Sequence, residues 1–281
     1  MRDMEQEKSI FITGSSTGIG KACALHFDRL GYRVFAGVRK KADADSLRQE
    51  ASDRLVPVTI DVTDPALIMK AAGNVAKRSG EGLYGLLNNA GIGAGGPVEF
   101  LDMEKVESVI RVNLLGMIAV TSAFLPMIRK SRGRIVNIGS ISGMLALPGA
   151  SPYAASKFAV EAFTDSLRLE MRPHGVRVSL VQPGDTESSI WSKVQKNFSP
   201  VYRTDQVRSL YGFVIDPIRQ ALEHPRLQPV EKVVNAVEHA FLSAKPRSRY
   251  RVGRDARIFA MVRHLPDSVR DRLVMRGLER Q

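Results

Sequence analysis

Ser9-Ile10-Phe11-Ile12-Thr13-Gly14-Ser15-Ser16-Thr17-Gly18-Ile19-Gly20-Lys21 is the stretch that decides the fold. A short apolar strand, Ser9 to Thr13, runs into a glycine-rich turn, and a helical segment to Leu30 follows, stopped by Gly31. Gly14 permits a sharp turn, Gly18 lets the backbone approach a pyrophosphate, and Gly20 lets helix and strand pack closely. The helix N-terminus offers free N–H groups and positive potential to an anion. A strand before and a helix after distinguish a phosphate-binding turn, here Gly14, Ser15, Ser16, Thr17, Gly18, Ile19 and Gly20, from an incidental glycine cluster.

Outward from this turn, short β-branched runs alternate with longer segments of helical period. Seven strand candidates stand out: Ser9–Thr13, Arg33–Val38, Leu55–Ile60, Leu83–Asn88, Arg134–Ile138, Arg177–Val181 and a weaker Arg249–Val252. The alternation predicts an α/β fold with a Rossmann-type, doubly wound parallel sheet, and 281 residues suit one such core. A 44% hydrophobic content excludes wholesale disorder. The single cysteine, Cys23, excludes a disulfide scaffold and a thiolate zinc cluster, and the histidines show no ligand spacing, so no metal is expected. Asn113, Thr121, Ser122 and Pro126 interrupt the uncharged run Val112–Ile128, which reads as a buried core helix rather than a bilayer span. The charged start Met1–Lys8 passes directly into a strand without the regions of a signal peptide, so a cytoplasmic location is expected.

Further motifs follow at strand ends. Asn88-Asn89-Ala90-Gly91 follows the fourth strand, Ser140 the fifth and Pro183-Gly184 the sixth. Tyr153 and Lys157 stand four apart on one face of a helix that Ser151 can cap and Pro152 can begin. Together with the G-x3-G-x-G turn and Asn113, the chain from Ser9 to Gly184 resembles the short-chain dehydrogenase/reductase family in its single-domain branch. Tyr153–Phe163 and Val112–Gly116 look like the retinol and 17β-hydroxysteroid dehydrogenase members. The resemblance implies an oxidoreductase that moves a hydride between a nicotinamide cofactor and an alcohol or carbonyl compound. Tyr153 is then the proton donor and acceptor, Lys157 lowers its pKa and bonds the nicotinamide ribose, Ser140 holds the substrate oxygen, and Asn113 kinks its helix and anchors a water leading to Lys157. Asn89, Ala90 and Gly91, and Pro183, Gly184 and Thr186, are implied to line the cofactor. A Ser/Lys hydrolase is disfavoured because no Gly-x-Ser-x-Gly elbow surrounds Ser140. A non-catalytic nucleotide sensor or scaffold on the same fold is the alternative, but all four catalytic positions are filled.

The second strand ends Gly37-Val38-Arg39-Lys40. Val38 stands where an NAD-preferring relative has an acid, and Arg39, with Lys40 beside it, can bond a 2′-phosphate, so NADP(H) is favoured over NAD(H). Asp61 and Val62 match the family's adenine-edge position, whereas Asp64 suits a helix N-cap.

Three regions emerge: a catalytic domain over 1–244, an irregular lid within it over 184–229, and a basic extension over 245–281. The lid carries Trp191, Phe198, Tyr202, Tyr211 and Phe213, which can wall an apolar pocket for a bulky lipophilic alcohol or ketone. Of the net charge of +12, the extension holds 11 Lys/Arg against 4 Asp/Glu. Its Ile258, Met261, Val262 and Leu265, with Arg254, Arg257 and Arg263, form an amphipathic basic stripe expected to dock on the core or a second subunit, peripheral contact with an anionic membrane being the alternative. No nucleic-acid reading element accompanies the charge. The long helices Met103–Lys130 and Ser151–Pro173 carry spare apolar positions, and the resemblance implies a homodimer or homotetramer built on them.

Overall fold

The computed structural model describes residues 8–80, 82–187, 202, 204–223 and 227–279. Seven parallel strands form one sheet: β1 (Ser9–Ile12), β2 (Arg33–Val38), β3 (Leu55–Thr59), β4 (Gly85–Asn88), β5 (Arg134–Ile138), β6 (Arg177–Pro183) and β7 (Arg249–Val252). Their order is β3-β2-β1-β4-β5-β6-β7, so the winding reverses between β1 and β4 and opens a crevice at the carboxyl ends of those strands. Each central strand is apolar on both faces because helices cover both.

The first half contributes α1 (Gly18–Arg29), α2 (Lys41–Glu50) and α3 (Pro65–Ser79). Asp64 caps α3 by accepting the Ala66 and Leu67 N–H groups, and Pro65 sits in its first turn. Next come α4 (Met103–Ile110), a π-helical stretch (Arg111–Gly116), α5 (Met117–Lys130) and α6 (Ser151–Met171). The continuous helix Met103–Lys130 is long and apolar enough to cross a membrane by length and composition. Here its Val109, Val120, Phe124 and Ile128 are fully buried, with Phe124 stacked on Phe11 of β1 at 4.3 Å between ring centroids. On the opposite face Ile10, Ile12 and Leu87 meet Phe27 of α1 and Phe241 of α8 (Glu231–Leu242).

Three expectations need correction. The lid is not irregular throughout: Asp205–Glu223 forms a helix, α7. Non-helical backbone at Tyr211 and an internal Pro217 divide it, which scrambles the apolar period along the sequence. Its Val207, Val214 and Ile215 are buried with Tyr202, while Phe213 faces outward; Trp191 and Phe198 lie outside the described residues. The basic stripe does not dock on the core of its own chain. Helix α9 (Arg254–Val262) packs through Ala256, Phe259 and Ala260 onto Ile141 and Met144, because small alanines allow close approach, and leaves Ile258, Met261 and Leu265 exposed. A last helix, α10 (Asp267–Glu279), lies beside α7. Finally, Ala150 occupies the N-cap of α6, and Ser151 is its first helical residue.

Candidate active site

The glycine-rich turn is built by steric exclusion. Gly14 has a φ of +67°, and a Cβ there would lie 2.9 Å from Ala90 Cα; a Cβ on Gly20 would collide with Gly14 O and the Asn89 amide. Asn89 clamps the turn, its Nδ2 donating to Thr13 O at 3.0 Å and Gly14 O at 3.1 Å, while Thr13 Oγ1 accepts the N–H groups of Asn89 and Ala90. Below the clamp runs a buried polar ladder: Asn88 Nδ2 donates to Thr121 Oγ1 and to Asn137 Oδ1, each at 2.9 Å, and Asn137 Nδ2 donates to Thr164 Oγ1 at 2.9 Å. The ladder ties α5, β4, β5 and α6 together.

The resulting cleft, of about 120 Å³, is lined by Gly14, Ser16, Thr17, Gly18, Ile19, Arg39, Asp61, Val62, Asn89, Ala90 and Gly91 among the residues read from the sequence. Gly37, Ile60, Ile92 and Val112 also line it and escaped that reading. The ends of β2 and β3, and the positions next to Gly91 and Asn113, were the signals available. Ser15 turns inward, donating to Ile12 O at 2.9 Å, and Gly20 is buried behind the turn. Exposed Lys40 is the N-cap residue of α2 and does not line the cleft, nor do Pro183, Gly184 and Thr186. Burial works to raise Asp61, but the Thr63 N–H and hydroxyl on Oδ1, at 2.9 and 2.7 Å, and the charge of Arg39 outweigh it and hold the carboxyl below its ordinary value. A cradle of backbone against a helix N-terminus, rimmed by a guanidinium, fits the phosphates of a dinucleotide. A larger cavity of about 570 Å³ lies between α7 and α10, against Phe213, Pro217, Met275 and Leu278, and includes none of these residues.

Beside the cleft, Ser140 follows β5 and accepts the Ser142 N–H at 3.1 Å. Lys157 is buried; its Nζ donates to Ile138 O at 2.9 Å and stands 5.7 Å from the centre of the Tyr153 ring. Burial pushes the lysine down from 10.5 to about 8. Tyr153 lies above its ordinary value: burial and the charge of Asp185 raise it, and its hydrogen bond with Ser140 only partly offsets them. The lowering expected from the Lys157 ammonium is not found in the protein alone, where desolvation of the phenolate dominates. Asn113 sits in the π-helical stretch, where its Oδ1 accepts the Ile92 N–H at 2.8 Å and its Nδ2 donates to Ile92 O and Ser156 Oγ, each at 3.0 Å. Ser156 in turn donates to Tyr153 O at 2.7 Å, so Asn113 fixes the start of α6. A Cβ on Gly91 would come 3.9 Å from Lys157 Nζ, so the lysine reaches the wall of the cleft.

The short chain dehydrogenase family model matches residues 8–198. The chain is 40% identical over 279 residues to retinol dehydrogenase 16 of Rattus norvegicus, covering 95% of this chain and 88% of that protein. It is 38% identical over 283 residues to 17-beta-hydroxysteroid dehydrogenase type 6 of Bos taurus, covering 97% and 89%. The crystal structure of a short chain dehydrogenase from Burkholderia cenocepacia in complex with NADP superimposes with a TM-score of 0.74 at 28% identity, over 96% of this chain and 99% of that one. A family match over most of the sequence, relatives matched along nearly their whole length and a shared seven-stranded architecture lead to one conclusion: the chain belongs to the short-chain dehydrogenase/reductase family and is an NAD(P)-dependent alcohol/carbonyl oxidoreductase of the retinol and hydroxysteroid dehydrogenase type.

Proposed function

We propose that the chain interconverts lipophilic alcohols and carbonyl compounds with NADP(H), and that Tyr153 moves the proton. The observation carrying this reading is that Ser140, Tyr153 and Lys157 meet at the edge of the glycine-rich cleft, with Lys157 Nζ close to Gly91. The cofactor, when bound, supplies or accepts the hydride. Gly14, Gly18 and the head of α1 would hold its pyrophosphate, Arg39 its 2′-phosphate, Asp61 and Val62 its adenine edge and Lys157 its ribose, with the Gly184–Thr186 turn, outside the cleft lining, toward the nicotinamide end. The non-acidic Val38 and Arg39 on the cleft wall support NADP(H), as does the NADP held by the Burkholderia relative. The names of the two mammalian relatives support a lipophilic alcohol.

In reduction, Tyr153 Oη donates its proton to the forming alkoxide; in oxidation it takes the hydroxyl proton. Ser140 Oγ holds the substrate oxygen beside it, and an ionised Lys157 favours the phenolate. Asn113 keeps α6, and with it Tyr153, in place through Ser156. We further propose a homodimer through α6 and the continuous helix Met103–Lys130, which leave Met103, Leu115, Ile118, Phe158 and Leu169 exposed in the single chain. The test is absorbance at 340 nm with NADPH or NADP across a panel of retinoid, steroid and smaller alcohols and ketones. Tyr153→Phe should lower turnover by about 10²-fold or more with cofactor affinity unchanged; near-normal turnover in the purified variant refutes the mechanism.

A further inference from the structure

The turn after β6 is gripped by residues far along the chain. The Asp185 N–H donates to Asp255 Oδ2 at 2.9 Å, and Asp255 Oδ1 accepts the Ala256 N–H at 2.9 Å in the first turn of α9. The carboxylate fits so closely that a Cβ on either Gly184 or Gly253 would collide with it. From the other side, Gln228 N–H donates to Asp185 O at 2.9 Å, and its Nε2 donates to Thr186 Oγ1 at 3.1 Å and to Val252 O at 3.0 Å. The grip therefore falls on Gly184, Asp185 and Thr186, at the carboxyl end of a strand, where open α/β sheets bind their ligands.

We propose that Asp255 is a positioning residue of this enzyme: it anchors the Gly184–Thr186 turn from α9 and brings its charge onto the backbone of Asp185. Asp185 is half-buried, and among the described residues no hydrogen bond reaches its carboxyl. Burial and the neighbouring Asp255 raise it to about 6, and its charge in turn raises Tyr153. The titratable groups that act on or are acted on by Asp185 are Asp255 from α9 and Tyr153 from α6. Asp255 does two separable things. As a hydrogen-bond acceptor it fixes backbone through both oxygens, of which an amide can replace only one; as a charge it acts on Asp185, which only a carboxylate can do.

The catalytic consequence rests on the oxidoreductase reading above, whereas the anchoring does not, and cofactor affinity reads the anchoring directly. NADPH affinity is measured by fluorescence titration from pH 5 to 8 for wild type, Asp255→Asn, Asp255→Ala and Asp185→Asn, with thermal unfolding of each. Asp255→Ala should weaken NADPH about tenfold or more at every pH, the loss of one charge-assisted hydrogen bond. Asp255→Asn keeps one of the two acceptor oxygens and should hold an affinity between those of wild type and Asp255→Ala at pH 7.5, yet move the wild-type inflection near pH 6 downward. Asp185→Asn should remove that inflection. Wild-type affinity in a folded Asp255→Ala overturns the anchor, and an unmoved inflection in Asp255→Asn overturns the coupling. Should the alanine variant fail to fold, the asparagine variant still decides. Retained turnover in Tyr153→Phe would refute the proton role of Tyr153 and leave these affinities standing.

Discussion

Replacing Lys157 by Met should stabilise the cofactor-free protein and abolish its turnover. Folding buries the ammonium and moves it from 10.5 to about 8. At about 1.36 kcal/mol per pH unit, that gap means the buried charge costs about 3 kcal/mol at pH 7. Methionine fills similar space without the charge, but leaves Ile138 O without the donor that now stands at 2.9 Å, a loss of about 1–2 kcal/mol. The net gain is about 1–2 kcal/mol, or ~2–6 °C in Tm for a chain of this size. Between pH 8 and 10.5 the folded wild type binds fewer protons at Lys157 than the unfolded chain does, so its stability rises with pH through that window. The advantage of Lys157→Met should accordingly be full below pH 8, vanish within that window and reverse to a deficit of about 1–2 kcal/mol, the missing Ile138 hydrogen bond, as the pH approaches 10.5. Circular dichroism melts of both proteins without cofactor, from pH 7 to 10.5, measure this. A variant that melts below wild type at pH 7, or a Tm gap constant across the range, refutes the reasoning.

Arg39→Ala should weaken NADPH by about 1.5–3 kcal/mol and leave NADH little changed, because one charge-assisted phosphate contact is lost. Titration with both cofactors checks this, and adding Val38→Asp should turn the preference toward NADH; equal losses for the two would show that Arg39 does not read the phosphate. Phe158→Glu places a charge on the exposed apolar face of α6 and should halve the mass seen by light scattering without lowering Tm, since Phe158 is 41% exposed in the single chain. An unchanged mass would move the interface elsewhere.

The parts of this enzyme legible in the sequence are those whose physics is local. Gly14, Gly18 and Gly20 announce a turn because strand and helix adjoin them, and Tyr153 and Lys157 announce a pair because four residues make one helical turn. Helix α7 was hidden for the converse reason: Tyr211 leaves helical backbone and Pro217 interrupts the ladder, so two short periods overlap as none. In α9 the apolar stripe pointed at Ile258 and Met261, while packing chose Ala256 and Ala260, because docking depth depends on small side chains that carry little hydrophobic signal. The contact between Asp185 and Asp255 spans 70 residues and exists only once β6 and α9 are placed. The raised Tyr153 likewise reflects burial, which no spacing encodes.

The amide ladder through Asn88 and Asn137 has a bearing on how the enzyme breathes. Backbone amide exchange with deuterium depends on opening, and opening here must separate four elements sewn together by side chains as well as by the sheet. Lys157 hangs from Ile138, the residue after Asn137, so the reacting groups are tied to that ladder. Helix α7, divided at Tyr211 and held to the loop before α4 by Tyr202 and by the bond from Tyr211 to Glu99, lies outside that ladder. An opening confined to that helix therefore leaves the ladder and the bond that holds Lys157 untouched.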